Sequence, residues 1–284
     1  MTKSFDVKLP DSKYLNECKN DVDYYCKVNK TFKLKDGMKL KDVNLLKSSG
    51  YTYDLYNIIY PFREFIKFKF ITGDVTTVPP YPAFVKSRPI QNDNQNSVLL
   101  PLDSQRHFKF VKDTIDFSEK KDLIVWRGAA YQNHRLRFLE ACSSMDFIDA
   151  GNTAVSKDEV IPFAKPRLSI KDQLNYKFIL SLEGNDVATN LKWIMSSNSV
   201  CIMPRPKFET WFKEGTLIPN YHYIEIKNDF SDIEEIYNTY SQNIDLCNQI
   251  AKNANEYVSK FLSSNDMLYI SRSVVMKYLN LLNE

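Results

Sequence analysis

A carboxylate at the end of a predicted strand is the first group in this sequence that could do chemistry. Asp74 follows the predicted strand Lys67–Ile71, stands directly after Gly73, and precedes the proline-rich stretch Val78–Pro82. A carboxylate held where a strand meets a loop is partly desolvated, so it can act as a general base. A Gly-Asp pair is also typical of an ordinary turn, and a purely local role for Asp74 is the alternative.

Two arginines could bind an anion. Arg127 ends the predicted buried strand Asp122–Trp126, and a guanidinium group suits bidentate binding of a phosphate. A structural salt bridge is the alternative for Arg127. Arg106 precedes His107 and a predicted strand, and taken alone it carries little information.

The segment Glu183–Asn190 joins a predicted strand, Phe178–Leu182, to a predicted helix, Ala188–Met195. The first N–H groups of a helix lack intrahelical partners, and the helix dipole is positive at that end, so an anion can bind there. Lys192 adds a positive charge early in the helix. A routine turn capped by an Asn or Asp side chain is the alternative.

The second half of the chain alternates strands with helices. Ser169–Asp172 is typical of a capping box at a helix start. Further strands are predicted at Phe147–Ile148, Ser199–Met203 and Tyr221–Ile226, and helices at His134–Ser143, Phe208–Lys213, Asp232–Tyr240, Leu246–Leu262 and Met267–Leu282. This alternation predicts a parallel sheet that binds ligands at the carboxyl ends of its strands.

The first half of the chain is less regular. Short strands are predicted at Phe84–Val85, Val98–Leu100 and His107–Val111, and a boundary between domains near Ser118–Lys121.

Composition excludes several classes of protein. The chain has 284 residues and 7 glycines, too widely spaced for a dinucleotide-binding fingerprint, a P-loop or a nucleophile elbow. The 5 cysteines and 3 histidines are scattered, so neither a disulfide framework nor a zinc site is expected. The net charge of +3 comes without a long basic block, which argues against nucleic acid as a partner. A leader with an apolar region and a run of about 18 apolar residues are both absent from the sequence, so a cytoplasmic location is expected, the membrane surface included.

Six motifs in fixed order resemble glycosyltransferase family 90. They are Phe84–Ile90, Val125–Gly128, Lys177–Trp193, Ser199–Val200, Glu209–Phe212 and His222–Asp232. The family includes lipopolysaccharide core glycosyltransferases, fungal capsule-associated proteins and animal protein O-glucosyltransferases, and the lipopolysaccharide type is the most similar. The resemblance extends from about Phe70 to Leu262, and the first 60 residues resemble no known pattern.

The resemblance implies an α/β protein of the GT-B type, with two Rossmann-like domains facing a cleft and C-terminal helices closing the fold. Residues 1–118 would form the acceptor-side domain with the catalytic aspartate. Residues 119–262 would form the nucleotide-sugar-binding domain, and the helix in residues 263–284 would pack back on the first domain.

The resemblance also implies an inverting enzyme that moves glucose or xylose from a UDP-sugar without a metal or other cofactor. Asp74 matches the catalytic aspartate. The donor-binding residues would be Arg106, Arg127, Gly128, Asn185, Asp186, Val187, Ala188, Thr189, Asn190, Lys192 and Glu209, the last as a ligand of the ribose. The animal enzymes have arginine at the position of Asn190, so Lys192 or the helix N-terminus would supply that charge here. The acceptor would be a lipopolysaccharide core or another glycan or glycolipid, with at most peripheral membrane contact.

Two other functions remain open from the sequence. A non-catalytic module that binds nucleotide-sugars or glycans is favoured by Asn190 and opposed by Asp74 and Arg127. A metal-dependent transferase would use the D-x-D pair Asp21 and Asp23. That pair does not end an apolar strand, so it is a poor candidate for metal binding.

Overall fold

The structure is a computed structural model that describes residues 18–43, 49–62, 66–156, 158 and 160–283. Its strands, in chain order, are β1 (Met38–Lys39), β2 (Lys67–Phe68), β3 (Ala83–Val85), β4 (Ser87–Pro89), β5 (Ser97–Leu99), β6 (Lys121–Gly128), β7 (Ile148–Asn152), β8 (Tyr176–Leu180), β9 (Val200–Pro204), β10 (Phe208–Thr210) and β11 (Ile224–Ile226). Its α-helices are α1 (Lys19–Tyr25), α2 (Gly50–Ile59), α3 (Ser104–His107), α4 (Asn133–Ala141), α5 (Ile170–Gln173), α6 (Leu191–Met195), α7 (Ile233–Ser241), α8 (Ile244–Ser259) and α9 (Ser264–Leu281).

The described residues form two compact units. The first contains residues up to His107, together with Lys207–Gly215 and 263–283, and the second contains Phe108–Pro206 and Thr216–Leu262. Residues 108–118, which the sequence assigned to the first domain, therefore belong to the second compact unit. The division into an acceptor side and a donor side at residue 118 is a statement about function and stays a prediction.

The second unit is built on a parallel five-stranded sheet in the order β11-β9-β8-β6-β7. The α/β class with a parallel sheet, expected from the alternating pattern, is thereby confirmed for this unit. The central strands β6, β8 and β9 are rich in buried apolar residues, as strands covered on both faces must be. Trp126 of β6, Phe178 of β8 and Phe138 of α4 lie in the main apolar core.

The helices of the second unit begin and end close to the predicted limits. Ser169 caps α5, because its side chain accepts a hydrogen bond from the N–H of Asp172 while the Asp172 side chain accepts one from Ser169. Helix α6 begins at Leu191, three residues after the predicted start, since Ala188 belongs to the preceding turn. No helix among the described residues is both long and apolar enough to cross a membrane.

The first unit pairs very short strands two at a time. Strand β1 is antiparallel to β2, β4 is antiparallel to β10, and β3 is parallel to β5. Helix α9 packs against α1 and α2 in this unit. The two-domain GT-B arrangement with a second Rossmann-like domain stays a prediction.

Two predicted elements are wrong. The strand predicted over His107–Val111 is absent: His107 is the last residue of the short helix α3, and residues 108–111 form no regular element. The carbonyl of Asp103 accepts hydrogen bonds from the N–H groups of Arg106 and His107 at the start of that helix. The helix predicted over Phe208–Lys213 begins instead as strand β10, which pairs with β4. Pairing with a distant strand outweighs the local helical pattern there.

Candidate active site

The loop that carries Asp74 is fixed to strand β4. Gly73 has φ +87°, a left-handed conformation that favours glycine. The N–H of Val75 donates to the Ser87 hydroxyl over 3.2 Å, and that hydroxyl donates back to the Val75 carbonyl over 3.3 Å. The Asp74 side chain remains 28% exposed, so a fixed backbone presents a carboxylate that solvent can reach.

Two cations lie beside the Asp74 carboxylate. The Lys86 Nζ is 2.7 Å from Asp74 Oδ1, and Lys86 is only 1% exposed. Arg106 Nη2 lies 3.8 Å from the same oxygen, and Arg106 is 53% exposed. The Tyr51 ring of α2 is 5.9 Å from the Lys86 ammonium. Burial raises the pKa of Tyr51, while Lys86 and Arg106 act to lower it, so the tyrosine belongs to the same electrostatic cluster.

Helix α3 holds Arg106 in this cluster. Its first residue, Ser104, is bound to Asp54 of α2, whose carboxylate accepts from the Ser104 N–H and hydroxyl at 2.7 and 3.1 Å. Asp103, at φ +54°, lies 3.2 Å from Arg106 Nε. The structure thus brings together Asp74 and Arg106, two of the residues singled out from the sequence.

Arg127 forms the structural salt bridge that was the alternative to phosphate binding. Its Nη2 lies 2.8 Å from Asp149 Oδ1, its Nη1 donates to the carbonyls of Trp126 and Asp149, and its Nε donates to the Pro166 carbonyl. Burial raises the pKa of Asp149, but hydrogen bonds from Lys165, Arg127 and Tyr176 outweigh that effect and lower it to about 2. Arg127 therefore braces β6 against β7, and a donor contact from it stays a prediction.

Gly128, the residue after Arg127, is required by packing. A Cβ atom there would lie 2.6 Å from the ring of Trp126, closer than carbon atoms approach each other. The aromatic-Arg-Gly motif therefore has a structural explanation in this chain: the ring needs the glycine, and the arginine joins two strands.

Arg135 is a functional candidate that the sequence reasoning missed. This residue of α4 donates to the carbonyls of Glu183 (2.9 Å), Leu182 (2.8 Å) and Ala129 (2.9 Å). Its guanidinium group lies 5.8 Å from the Trp126 ring, and burial lowers its pKa to about 10. Among the described residues no carboxylate forms an ion pair with Arg135, whose guanidinium group is bound by backbone carbonyls only.

One signal in the sequence could have indicated Arg135. It stands early in the helix that follows β6, where a side chain reaches the same edge of the sheet as the loop after β8. The helical periodicity of this segment predicts its apolar positions, Leu136 and Leu139, and does not by itself single out the arginine.

The loop 183–190 is tied to the strand before it. The Asn190 side chain donates to the Leu180 carbonyl and accepts from the Ser181 hydroxyl, each over 3.1 Å. Asn190 occupies the cap position of α6 without a side-chain capping bond. Helix α6 has only five residues, so its dipole adds little charge. An anion contact at its N-terminus stays a prediction.

The other predicted residues of the loop divide by exposure. Asn185 and Thr189 are exposed, and Asn185 accepts a hydrogen bond from Gln132 over 3.0 Å. Asp186, Val187 and Ala188 of the loop are buried, as is Lys192 in helix α6. Any contact of the loop with a ligand is thus expected from Asn185, Thr189 and the backbone.

Glu209 lies in a buried network of the first unit. Its Oε1 is 2.7 Å from Arg88 Nε, and both side chains are inaccessible to solvent. The Tyr24 hydroxyl donates to its Oε2. Both carboxylate oxygens are therefore engaged within the first unit, and a contact of Glu209 with the ribose stays a prediction.

Each aspartate of the D-x-D pair forms an ion pair with a lysine. Asp21 pairs with Lys213, and Asp23 lies 2.7 Å from Lys277 Nζ. Across the part of the chain that the structure describes, no group of three or more His, Cys, Asp and Glu residues is arranged to hold a metal ion. The two carboxylates belong to ion pairs in the first unit.

Comparison with known proteins gives one family and several relatives. A family model described as Glycosyl transferase family 90 matches residues 103–284, a range that begins after Asp74. O-glucosyltransferase LpsA of Dichelobacter nodosus is 43% identical over 264 residues, which cover 93% of this chain and 83% of that protein. Protein O-glucosyltransferase 1 of Rattus norvegicus is 24% identical over 122 residues, 43% of this chain and 31% of that protein. Uncharacterized protein 179R of Invertebrate iridescent virus 6 is 26% identical over 117 residues, 39% of this chain and 10% of that protein.

Proposed function

The chain belongs to glycosyl transferase family 90, as its motifs predicted, and we propose that it transfers glucose from UDP-glucose to a hydroxyl group of a glycan. The observation that carries the proposal is the 43% identity to an O-glucosyltransferase over 93% of this chain. The rat relative also bears the name of an O-glucosyltransferase, which favours glucose over xylose. A lipopolysaccharide core or another surface glycan is the proposed acceptor, reached in the cytoplasm with at most peripheral membrane contact.

In the proposed reaction Asp74 is the general base. The acceptor oxygen attacks the anomeric carbon while its proton passes to the Asp74 carboxylate. The bond between that carbon and the phosphate oxygen breaks, and its electron pair leaves with UDP. Attack from the face opposite the leaving group inverts the anomeric carbon. The 28% exposure of Asp74 supports this role, because the acceptor must reach the carboxylate.

The leaving UDP gains negative charge, which a positive group must stabilise. Arg135 suits this role in the proposal, because its partners are neutral carbonyls and its charge is not compensated by a carboxylate. Exposed Asn185 and Thr189 supply polar contacts beside it. The mechanism assigns no step to a metal ion, and transfer is expected to continue in excess EDTA.

Replacement of the base tests this function. Asp74→Asn is expected to abolish transfer from UDP-glucose while UDP still binds, as measured by UDP release and by calorimetry. Asp23→Asn is the matched control, since it removes a carboxylate from a lysine pair of equal length, 2.7 Å, and it is expected to keep its activity. Near-normal turnover by Asp74→Asn would remove the base assignment. A wild-type protein that binds UDP-sugars and releases no UDP would instead be a non-catalytic binding module.

A further inference from the structure

Lys86 lies in the chain between β3 and β4, and its ammonium group is buried against the Asp74 carboxylate. The side chain is 1% exposed, and its Nζ is 2.7 Å from Asp74 Oδ1. A buried ammonium is costly unless an anion compensates it. We propose that Lys86 is a positioning residue that keeps Asp74 ionised and fixed in direction for the acceptor hydroxyl. This inference rests on the proposed role of Asp74 as the base.

Lys86 and its neighbour clamp two consecutive residues of the loop. Lys86 binds the Asp74 side chain, while Ser87 binds both the N–H and the carbonyl of Val75. Side chain and backbone are therefore held from the same short stretch at the start of β4. The Ser87 contacts fix the direction of the Asp74 side chain, and the Lys86 ammonium stabilises the ionised carboxylate.

The other groups around Asp74 stabilise its negative charge less than Lys86 does. Arg106 of α3 is farther away, at 3.8 Å, and 53% exposed, so solvent screens it. It is also shared with Asp103, which lies 3.2 Å away. Tyr51 of α2 is neutral in its protonated form. Lys86 is thus the nearest cation and the most buried one in the cluster.

A second ion pair with a buried lysine, between Lys120 and Asp113, provides a comparison with a purely structural pair. Lys120 Nζ is 2.7 Å from Asp113 Oδ2, and both side chains are buried. Asp113 also accepts from the backbone N–H of Asn198, so its carboxylate is enclosed. In the pair of Lys86 and Asp74 only the lysine is enclosed, and the carboxylate reaches solvent. An accessible carboxylate beside a buried lysine suits a general base, whereas a pair buried on both sides suits a purely structural role.

The test is the pH profile of kcat/KM for transfer from UDP-glucose. Lys86→Gln removes the charge but keeps a hydrogen-bond donor, and without the charge the carboxylate binds its proton at higher pH. The acid limb of the profile is therefore expected to move up by about one to two pH units. Lys86→Met is a second neutral variant that suits the buried space if the glutamine variant does not fold.

Two controls separate charge from structure. Lys86→Arg keeps the charge, so its acid limb is expected to stay near the wild-type pH. Lys120→Gln removes the other buried lysine, and it is expected to lower the melting temperature and leave the limb in place. A neutral Lys86 variant whose limb coincides with the wild-type limb would overturn the proposal.

A measurement without turnover keeps this proposal separate from the proposed function. Titration of the Asp74 carboxyl carbon by NMR, assigned by its loss in Asp74→Asn, is expected to shift to higher pH in Lys86→Met. If the wild-type protein transfers no glucose, the proposed function fails while the titration still tests Lys86. If the wild type is active and neither the limb nor the titration moves, only the role of Lys86 is overturned.

Discussion

Replacement of Arg135 by Met is expected to weaken UDP binding by roughly 10- to 150-fold. Its hydrogen-bond partners are three neutral carbonyls at 2.8–2.9 Å, so its charge is available to a diphosphate. A hydrogen bond to a charged group contributes about 1.5–3 kcal/mol, and every 1.4 kcal/mol changes affinity about tenfold. Met retains much of the apolar length that packs near Trp126, and it removes the charge together with the three hydrogen bonds to backbone carbonyls.

Arg127→Met is the matched control for this prediction. It removes a guanidinium from the same unit, but one already paired with Asp149 at 2.8 Å. We expect it to lower the melting temperature and to change UDP affinity less than threefold, a range set by weak indirect effects of about 0.6 kcal/mol. Calorimetry with UDP well below both melting temperatures measures the two affinities. A large loss of affinity in Arg127→Met with no loss in Arg135→Met would show that Arg127, and not Arg135, binds the phosphates.

Two further predictions concern ion pairs that we expect to contribute mainly to stability. Glu209→Gln is expected to lower the free energy of unfolding by about 3 kcal/mol, because it leaves the buried Arg88 uncompensated. The free energy of unfolding is measured by urea titration, and the affinity of this variant for UDP should not change. A loss of UDP affinity without a loss of stability would instead support a contact of Glu209 with the ribose. The control is Glu225→Gln, from an exposed pair with Arg205, which should lower the free energy of unfolding by less than about 1 kcal/mol. The pKa of Asp149 in the folded protein is lowered to about 2, whereas an aspartate in the unfolded chain has a pKa of about 3.9. The ionised Asp149 therefore stabilises the fold fully above about pH 3.9, and this stabilisation is lost as the pH falls through about 2. Asp149→Asn should therefore lose less stability than the wild type between about pH 4 and pH 2, and parallel acid melting curves would contradict the assignment.

The sheet and the closing helices were predictable because their signals are local. The apolar runs of β6, β8 and β9 and the capping box at Ser169 can be identified from neighbouring residues alone. Helices α7, α8 and α9 follow apolar periodicities near the predicted limits. Local chemistry decides these elements, and tertiary packing agrees with it.

The partners of the charged residues were not predictable because they lie far apart in sequence. Arg127 meets Asp149 at a separation of 22 residues, and Arg88 meets Glu209 at 121. A lone arginine at a strand end is consistent with phosphate binding and with a salt bridge, and only the fold decides between them. The same holds for Lys86, which the sequence presents as one basic residue in a motif.

The configuration of the transferred sugar shows whether Asp74 is the base of an inverting transfer. The protein is incubated with UDP-glucose, whose glucose is α-linked, and an acceptor glycan, and the product is followed by proton NMR. We expect a β-linked glucose that appears together with free UDP, and we expect the Asp74→Asn variant to form none. An α-linked product, or one formed at the wild-type rate by that variant, would contradict the assignment of Asp74 as the base of an inverting transfer.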